Sequence, residues 1–299
     1  MLQDTDRPFG AVTVLVGEKT GKYPDGNSLW VRGRDATALI DPSLSVGRRA
    51  ATLGDVDLVL QSHVHEDHVA GLSRFRAARV QAHRADLPGL HSVDGLLAIY
   101  GVAADEARDA MRHWLVDQFN YAPRPDAAAY DDGAVFDLGG TRITAIHTPG
   151  HTRGHSVLLV EPEGVLFLGD IDLTGFGPYY GDAWSNLTDF DTSLARVRDI
   201  PARVWVSFHH AGVIEDRALF VAKLERFAGR IAEREAALLA YLDEPRTLAQ
   251  LVAHRFLYPP HAQLSWIDAA ERRTILQHLE RLVTDGRVVE CAPETWRRI

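Results

Sequence analysis

The segment SHVHEDHVAGL, residues 62–72, brings His63, His65, Asp67 and His68 into six consecutive positions. Imidazole and carboxylate groups at that density are metal-ligand chemistry, and nitrogen and oxygen donors suit Zn2+, Fe or Mn. A single histidine at a strand end is ordinarily a satisfied polar group. Two histidines spaced by two residues in an extended segment, however, point to the same side. His63 and His65 can thus face one cation, while Asp67 and His68, at the turn that follows, can face another. The zinc motif H-E-x-x-H is excluded, because His65-Glu66-Asp67-His68 leaves only two residues between its histidines.

Four donors do not complete two metal sites, so other segments must end in ligands. HTPGHTRGHS sets His147, His151 and His155 around a Pro-Gly turn after the apolar TRITAI. VLFLGDID ends an apolar run in Asp170, a carboxylate able to bridge two cations, and VWVSFHHAGVI ends another in His209 and His210. Strand, then donor, at four separate places is what a site on the rim of a β sandwich requires. The aromatic loop 174–186 follows Asp170. Its Tyr179 or Tyr180 can donate to a substrate oxygen, or its rings can plug the loop onto the core.

The elements that must carry these residues read in two β-rich blocks. The first has apolar segments at 10–16, 28–33, 36–41 and 57–63, punctuated by turn residues. A helical insertion at about 84–130 puts Met111, Trp114, Leu115 and Phe119 on one stripe and is a candidate lid. The second block has segments at 141–147, 155–160, 164–170 and 203–209. A long amphipathic run after residue 215, two further helices and a short β-like end follow. Three helices and a hairpin predict a winged-helix-like module over 226–299, after a catalytic domain over 1–225.

Composition sets bounds. A chain of 299 residues with 46% hydrophobic and 24% charged residues is globular and can bury a large core. Cys291 is the single cysteine, so an internal disulfide or a thiolate metal site is excluded. No stretch of 18 apolar residues occurs, and the N-terminus lacks a basic-then-apolar leader, so a cytoplasmic protein off the membrane is expected. Residues 229–299 hold 10 Arg and 10 acidic residues, so the net charge of −9 lies entirely before them. An anionic main domain disfavours unspecific nucleic-acid binding. The last helix carries Arg272, Arg273 and Arg281 beside Glu271 and Glu280, with Ile275, Leu276, Leu279 and Leu282 as a packing face. That pattern favours docking on the main domain or a homodimer contact over nucleic-acid binding.

SHVHEDH, HTPGHTRGHS, FLGDI and FHHAGVI, in this order over roughly residues 10–215, resemble the successive motifs of the metallo-β-lactamase fold superfamily. The resemblance implies an α/β fold, a four-layer αβ/βα sandwich, here with a small C-terminal winged-helix-like domain as in the lactamase-like hydrolase and endoribonuclease subgroup. It implies that His63, His65 and His151 hold a first metal, that Asp67, His68 and a late histidine hold a second, and that Asp170 bridges. Aligning the apolar residues after the late histidine selects His210 over His209, although Ala211 stands where the family has glycine. Asp41, in LIDPS where the family has Asp-Thr-Gly, is expected to anchor metal-bound histidines. His147 and His155 are expected to support the turn, and Asp172 to hydrogen-bond within its loop.

The activity implied is a dinuclear metal-dependent hydrolase with two divalent ions, zinc ahead of iron or manganese. A metal-bound hydroxide would attack a small-molecule ester, lactone or thioester, with Asp67 orienting the nucleophile or passing a proton. A single-strand endoribonuclease of the same fold is the alternative. A ligand-sensing DNA-binding regulator is the alternative of another class. β-Lactam hydrolysis is disfavoured by the missing leader and the C-terminal module.

Overall fold

A computed structural model describes residues 5–262 and 266–299. Residues 1–4, part of the stretch read as lacking a leader, and 263–265 lie outside the described residues.

The first sheet has seven strands in sequence order: β1 Arg7–Phe9, β2 Val12–Leu15, β3 Ser28–Arg32, β4 Thr37–Ile40, β5 Leu58–Leu60, β6 Arg79–His83 and β7 Ala128–Tyr130. It is antiparallel from β1 to β4 and parallel from β4 to β7. The second sheet runs in the order β13-β12-β11-β10-β9-β8. Its strands are β8 Val135–Asp137, β9 Arg142–His147, β10 Ser156–Glu161, β11 Val165–Phe167, β12 Val204–Val206 and β13 Val213–Ile214. The helices are α1 Leu44–Arg48, α2 Pro88–His91, α3 Val93–Tyr100, α4 Asp105–Phe119, α5 Leu187–Asp199, α6 Arg217–Tyr241, α7 Leu248–His254 and α8 Ile267–Thr284. A third sheet, in the order β14-β16-β15, joins β14 Arg246–Thr247, β15 Val288–Ala292 and β16 Thr295–Arg298.

Period-two alternation explains the layers. Leu58 and Leu60 of β5 meet Leu158, Val160 and Phe167 in a core between the two sheets. Val59 faces the other way, onto Leu90, Leu96 and Leu97 of α2 and α3 and Leu115 of α4. On the far side, Val157, Leu166 and Trp205 pack against Phe190 and Leu194 of α5 and Phe220, Leu224 and Phe227 of α6. Helix, sheet, sheet, helix is the four-layer sandwich. Both faces of both sheets are covered, which is why the central strands read as unbroken apolar runs.

α6 belongs to two cores. Phe220 through Ile231 pack on the second sheet, while Leu238, Leu239 and the following Leu242 join Leu251, Ile275, Leu279, Leu282 and Trp296 in a C-terminal core. The insertion is helical as expected, but only Leu115 and Phe119 of α4 are buried. Trp114, placed on the same stripe, is 37% exposed. Among the described residues no helix is long and apolar enough to cross a membrane.

Candidate metal centre

Loops at one end of the two sheets converge on a buried cluster. The segment after β5 carries His63, His65, Asp67 and His68, and the turn between β9 and β10 carries His151. The loop after β11 carries Asp170, and the turn after β12 carries His209. All are buried except Asp170, whose side chain is 17% exposed. Two glycines make the approach possible. Gly150 sits at φ +133, where a Cβ would lie 2.3 Å from the Phe190 Cα. Gly169 sits at φ +54, where a Cβ would meet His155 Nε2 at 2.6 Å.

Three ring nitrogens meet in the first half of the cluster. His65 Nδ1 is 3.2 Å from His63 Nε2 and 3.0 Å from His151 Nε2. The remote nitrogens carry the protons. His151 Nδ1 donates to the Tyr179 carbonyl at 3.0 Å. Ser62 Oγ, which gives its own proton to Asp41 Oδ2 at 2.5 Å, accepts from His63 Nδ1 at 3.1 Å. His65 Nε2 lies 3.1 Å from Asp182 Oδ2, close enough for an ion pair though off the line of an ideal hydrogen bond. Three inner ring nitrogens therefore converge on one point, where a bound cation would take the place of any proton. Tetrahedral Zn–N bonds of about 2.0–2.1 Å would put ligand nitrogens about 3.3–3.4 Å apart, so this spacing fits one cation.

In the second half, His209 Nε2 is 2.8 Å from Asp67 Oδ2, and His68 Nε2 is 2.9 Å from Asp170 Oδ1 and 3.9 Å from Asp67 Oδ1. His68 Nδ1 donates to Asp41 Oδ2 at 2.7 Å and His209 Nδ1 to the Gly21 carbonyl at 2.9 Å, so both rings are held from outside with Nε2 turned to the carboxylates. Asp170 spans the halves: its Oδ2 is 3.3 Å from His151 Nε2, while Oδ1 faces His68. His63, His65, His151 and Asp170 form one group with metal-ligand spacing, and Asp67, His68 and His209 another.

The field favours positive charge in this cavity. Burial opposes a proton on His68, but Asp170, Asp67 and Asp41 outweigh it and push its pKa well above the ordinary value. Burial likewise opposes His65 and His209, yet Asp182 with Glu66 and Asp170 in the first case, and Asp170 with Asp67 in the second, raise each to about 9. His63 goes the other way, pushed down by burial and then by His68, His65 and His151. Asp170 is held well below the carboxylate range: burial works against this, but His68 and His209 prevail.

Two expectations are corrected. His210, selected as the last ligand, is exposed, and His209 occupies the cluster. The cause is a tight turn. Ala211 N donates to the His209 carbonyl at 2.7 Å, His210 takes φ +51, and Ser207 Oγ donates to the His209 carbonyl at 2.6 Å. Successive side chains therefore diverge, and only His209 points inward. Tyr180, expected at the substrate, is fully buried, with its hydroxyl 2.9 Å from His278 Nε2 and accepting from Arg234 Nη1 at 3.2 Å. Tyr179 does lie by the cluster, its ring 6.0 Å from that of His151 and its hydroxyl donating to Asp182 Oδ1 at 3.1 Å.

Supporting residues divide in the same way. Asp41, at φ +47, accepts from Ser62 N at 2.7 Å besides its bonds to Ser62 Oγ and His68. His155 Nε2 accepts from Asp170 N at 3.2 Å, whereas His147 stacks on His83 at 3.9 Å and bonds the Arg153 carbonyl, away from the donors. Asp172 accepts from Thr174 N within its loop. Sequence reasoning missed Asp86, which takes Thr152 Oγ1 at 2.5 Å and Gly154 N at 2.8 Å and fixes the His151 turn. It also missed Asp182 and the pair Tyr23 and Tyr100, whose hydroxyls both donate to Glu66. Single acidic residues in polar loops give no periodic signal.

The fold, the motif order and the paired donor clusters define a metallo-hydrolase scaffold. The family model described as Metallo-beta-lactamase superfamily matches residues 23–222, and the chain belongs to that superfamily and is a hydrolase. It is 28% identical over 218 residues to the acyl-coenzyme A thioesterase MBLAC2 of Gallus gallus, covering 66% of this chain and 76% of that one. It is 27% identical to the atrochrysone carboxyl ACP thioesterase of Passalora fulva, over 96% of this chain and 80% of that one. The crystal structure of a metallo-beta-lactamase family protein from Thermus thermophilus superposes with a TM-score of 0.72 at 28% identity, covering 97% of this chain and 99% of that one.

Proposed function

We propose that this chain hydrolyses an acyl thioester with two divalent cations, zinc first. His63 Nε2, His65 Nδ1 and His151 Nε2 would hold one ion, Asp67, His68 and His209 the other, and Asp170 would be shared. When bound, such ions lower the pKa of a water and polarise a carbonyl oxygen. The observation that carries the reading is Asp170, with one oxygen turned to His151 and the other to His68.

The chain's own residues supply orientation and shape. Asp67, beside both His209 and His68, is the carboxylate placed to orient the attacking water and accept its proton. A thiolate leaving group titrates near about 8.5 and departs without a strong general acid, unlike an alkoxide or amide. Tyr23, 47% exposed, has its ring 6.1 Å from His209 and 6.2 Å from Phe119, which in turn lies 4.7 Å from Trp114. Tyr23 and Trp114 thus leave exposed ring surface over the buried Phe119, near the second cluster and suited to an acyl chain. The thioesterase names of the similar chicken and fungal proteins support the same choice.

The endoribonuclease and regulator readings are less well supported. Arg272 pairs with Glu294, Arg273 donates to the Gly101 and Gly181 carbonyls, and Arg281 pairs with Asp191 and Glu235. These three arginines of α8, the cations that a recognition helix would offer to phosphates, are thus engaged. The test is a panel of acyl-CoA thioesters, esters, lactones and single-stranded RNA with the same metal-loaded preparation. Thioester turnover with inert RNA is expected; the reverse order would sink the proposal.

A further inference from the structure

We infer that α8 sets how tightly the first histidine cluster grips its cation, acting through the loop between Leu173 and Asn186, with Gln277 and Arg273 as positioning residues. This rests on the metal reading above.

Two of the three first-cluster histidines take their outer partners from this loop. His151 Nδ1 donates to the Tyr179 carbonyl and His65 Nε2 faces the Asp182 carboxylate. Ser185 Oγ also donates to the His151 carbonyl at 2.7 Å, and Asn186 N to the Gly150 carbonyl at 2.8 Å. Such outer partners fix the tautomer and the aim of a ligating imidazole. The loop forms neither helix nor strand, so something else must hold its backbone.

That support comes from behind. Gln277 Nε2 donates to the Tyr180 carbonyl at 2.9 Å, and its Oε1 accepts from Leu187 N at 2.6 Å. Arg273 Nη1 donates to the Gly181 carbonyl at 3.3 Å, and its Nη2 to the Gly101 carbonyl at the end of α3 at 2.8 Å. Arg234 of α6 donates to the Pro178 and Phe176 carbonyls at 2.5 and 2.6 Å. Neighbouring carbonyls are thus divided: Tyr179 serves His151, and Tyr180 is tied to α8. A shift of the Tyr180 peptide would turn the Tyr179 carbonyl from His151 and move Asp182 from His65.

The second cluster has no such dependence. His68 is oriented by Asp41 and His209 by the Gly21 carbonyl, while the Asp170 amide bonds His155. None of these partners lies on α8 or on the loop. The C-terminal helix is therefore coupled to one cluster and not to the other.

The experiment titrates Co2+ into the metal-free full chain, following its visible absorption and the heat of binding, with the first site assigned by its loss in His151→Ala. Gln277→Ala and Arg273→Ala should weaken that site about 10- to 100-fold and shift its absorption bands. The other site should stay within about twofold, and Arg273→Lys should recover part of the loss. Arg272→Ala, on the same helix but paired with Glu294, should change neither site. Thermal unfolding of each variant confirms that it is folded. First-site affinity and spectrum unchanged in the Gln277→Ala/Arg273→Ala double variant would overturn the inference, as would equal weakening of both sites. A wild-type chain that takes up no Co2+ would overturn the metal reading, and this inference with it.

Discussion

His209 Nε2 lies 2.8 Å from Asp67 Oδ2, while His210, its neighbour in the chain, faces solvent. The two positions should separate cleanly in substitution. His209→Ala removes a donor and should cost more activity than the about 10- to 100-fold typical of outer partners, together with one bound metal. His210→Ala should stay within about twofold of wild type. Activity and metal content measured on the same samples check this, and loss in both variants would contradict the assignment.

Asp41 holds Ser62 and His68 from a fully buried position. Asp41→Ala leaves the His68 Nδ1 proton and the Ser62 amide without partners inside the protein. Breaking a buried pair of this kind costs about 3–5 kcal/mol. Chemical denaturation of the metal-free chain should show that loss. A change below about 0.5 kcal/mol, the range of ordinary surface substitutions, would mean that Asp41 is not the anchor.

The metal-free chain should lose stability as pH rises from about 6.5 towards 9. His65 and His209 have folded pKa values raised to about 9. Their contribution is full below the unfolded value of about 6.5 and is lost as pH rises through 9. His155, lowered to about 3 by burial and then by His151, and His63, also lowered, act in the opposite sense. They cost stability as pH falls below 6.5, where the unfolded chain takes up protons and they do not. Asp170, lowered by His68 and His209 against the effect of burial, adds to the loss in acid. Melting temperatures from about pH 6.5 to 10 test this, with a flat or rising profile as the contrary result.

The C-terminal unit should ignore nucleic acid. Fluorescence anisotropy with duplex DNA and single-stranded RNA should show no binding that weakens steeply with salt, since Arg272, Arg273 and Arg281 are already paired or bonded. A steep salt slope would show that phosphates displace those contacts.

Much of the candidate site was legible in the sequence, because donor side chains at strand ends leave a local mark: an apolar run stops and a donor follows. His63, His65, Asp67, His68, His151 and Asp170 all carry that mark, and all meet in one cluster. The last histidine is not fixed by it, because the choice between His209 and His210 depends on one left-handed residue and a carbonyl turned towards Ser207 and Ala211. Tyr180 departs from expectation for a longer-range reason. Its environment is made by Arg234 and His278, distant in sequence, and only packing of α6 and α8 brings them to the aromatic loop. Asp86 and Asp182 carry no signal, since a lone carboxylate that orients a backbone or an imidazole looks like any polar loop residue.

If the paired clusters run thioester hydrolysis through bound divalent ions, a single preparation will show it: the full chain is stripped with chelator, assayed for acyl-CoA hydrolysis, given back Zn2+ and its bound metal counted. Activity should vanish on stripping and return as about two equivalents bind, as expected of a two-metal site. A metal-free chain that hydrolyses the thioester at the full rate, or a metal-loaded one that leaves it intact, would rule out this chemistry.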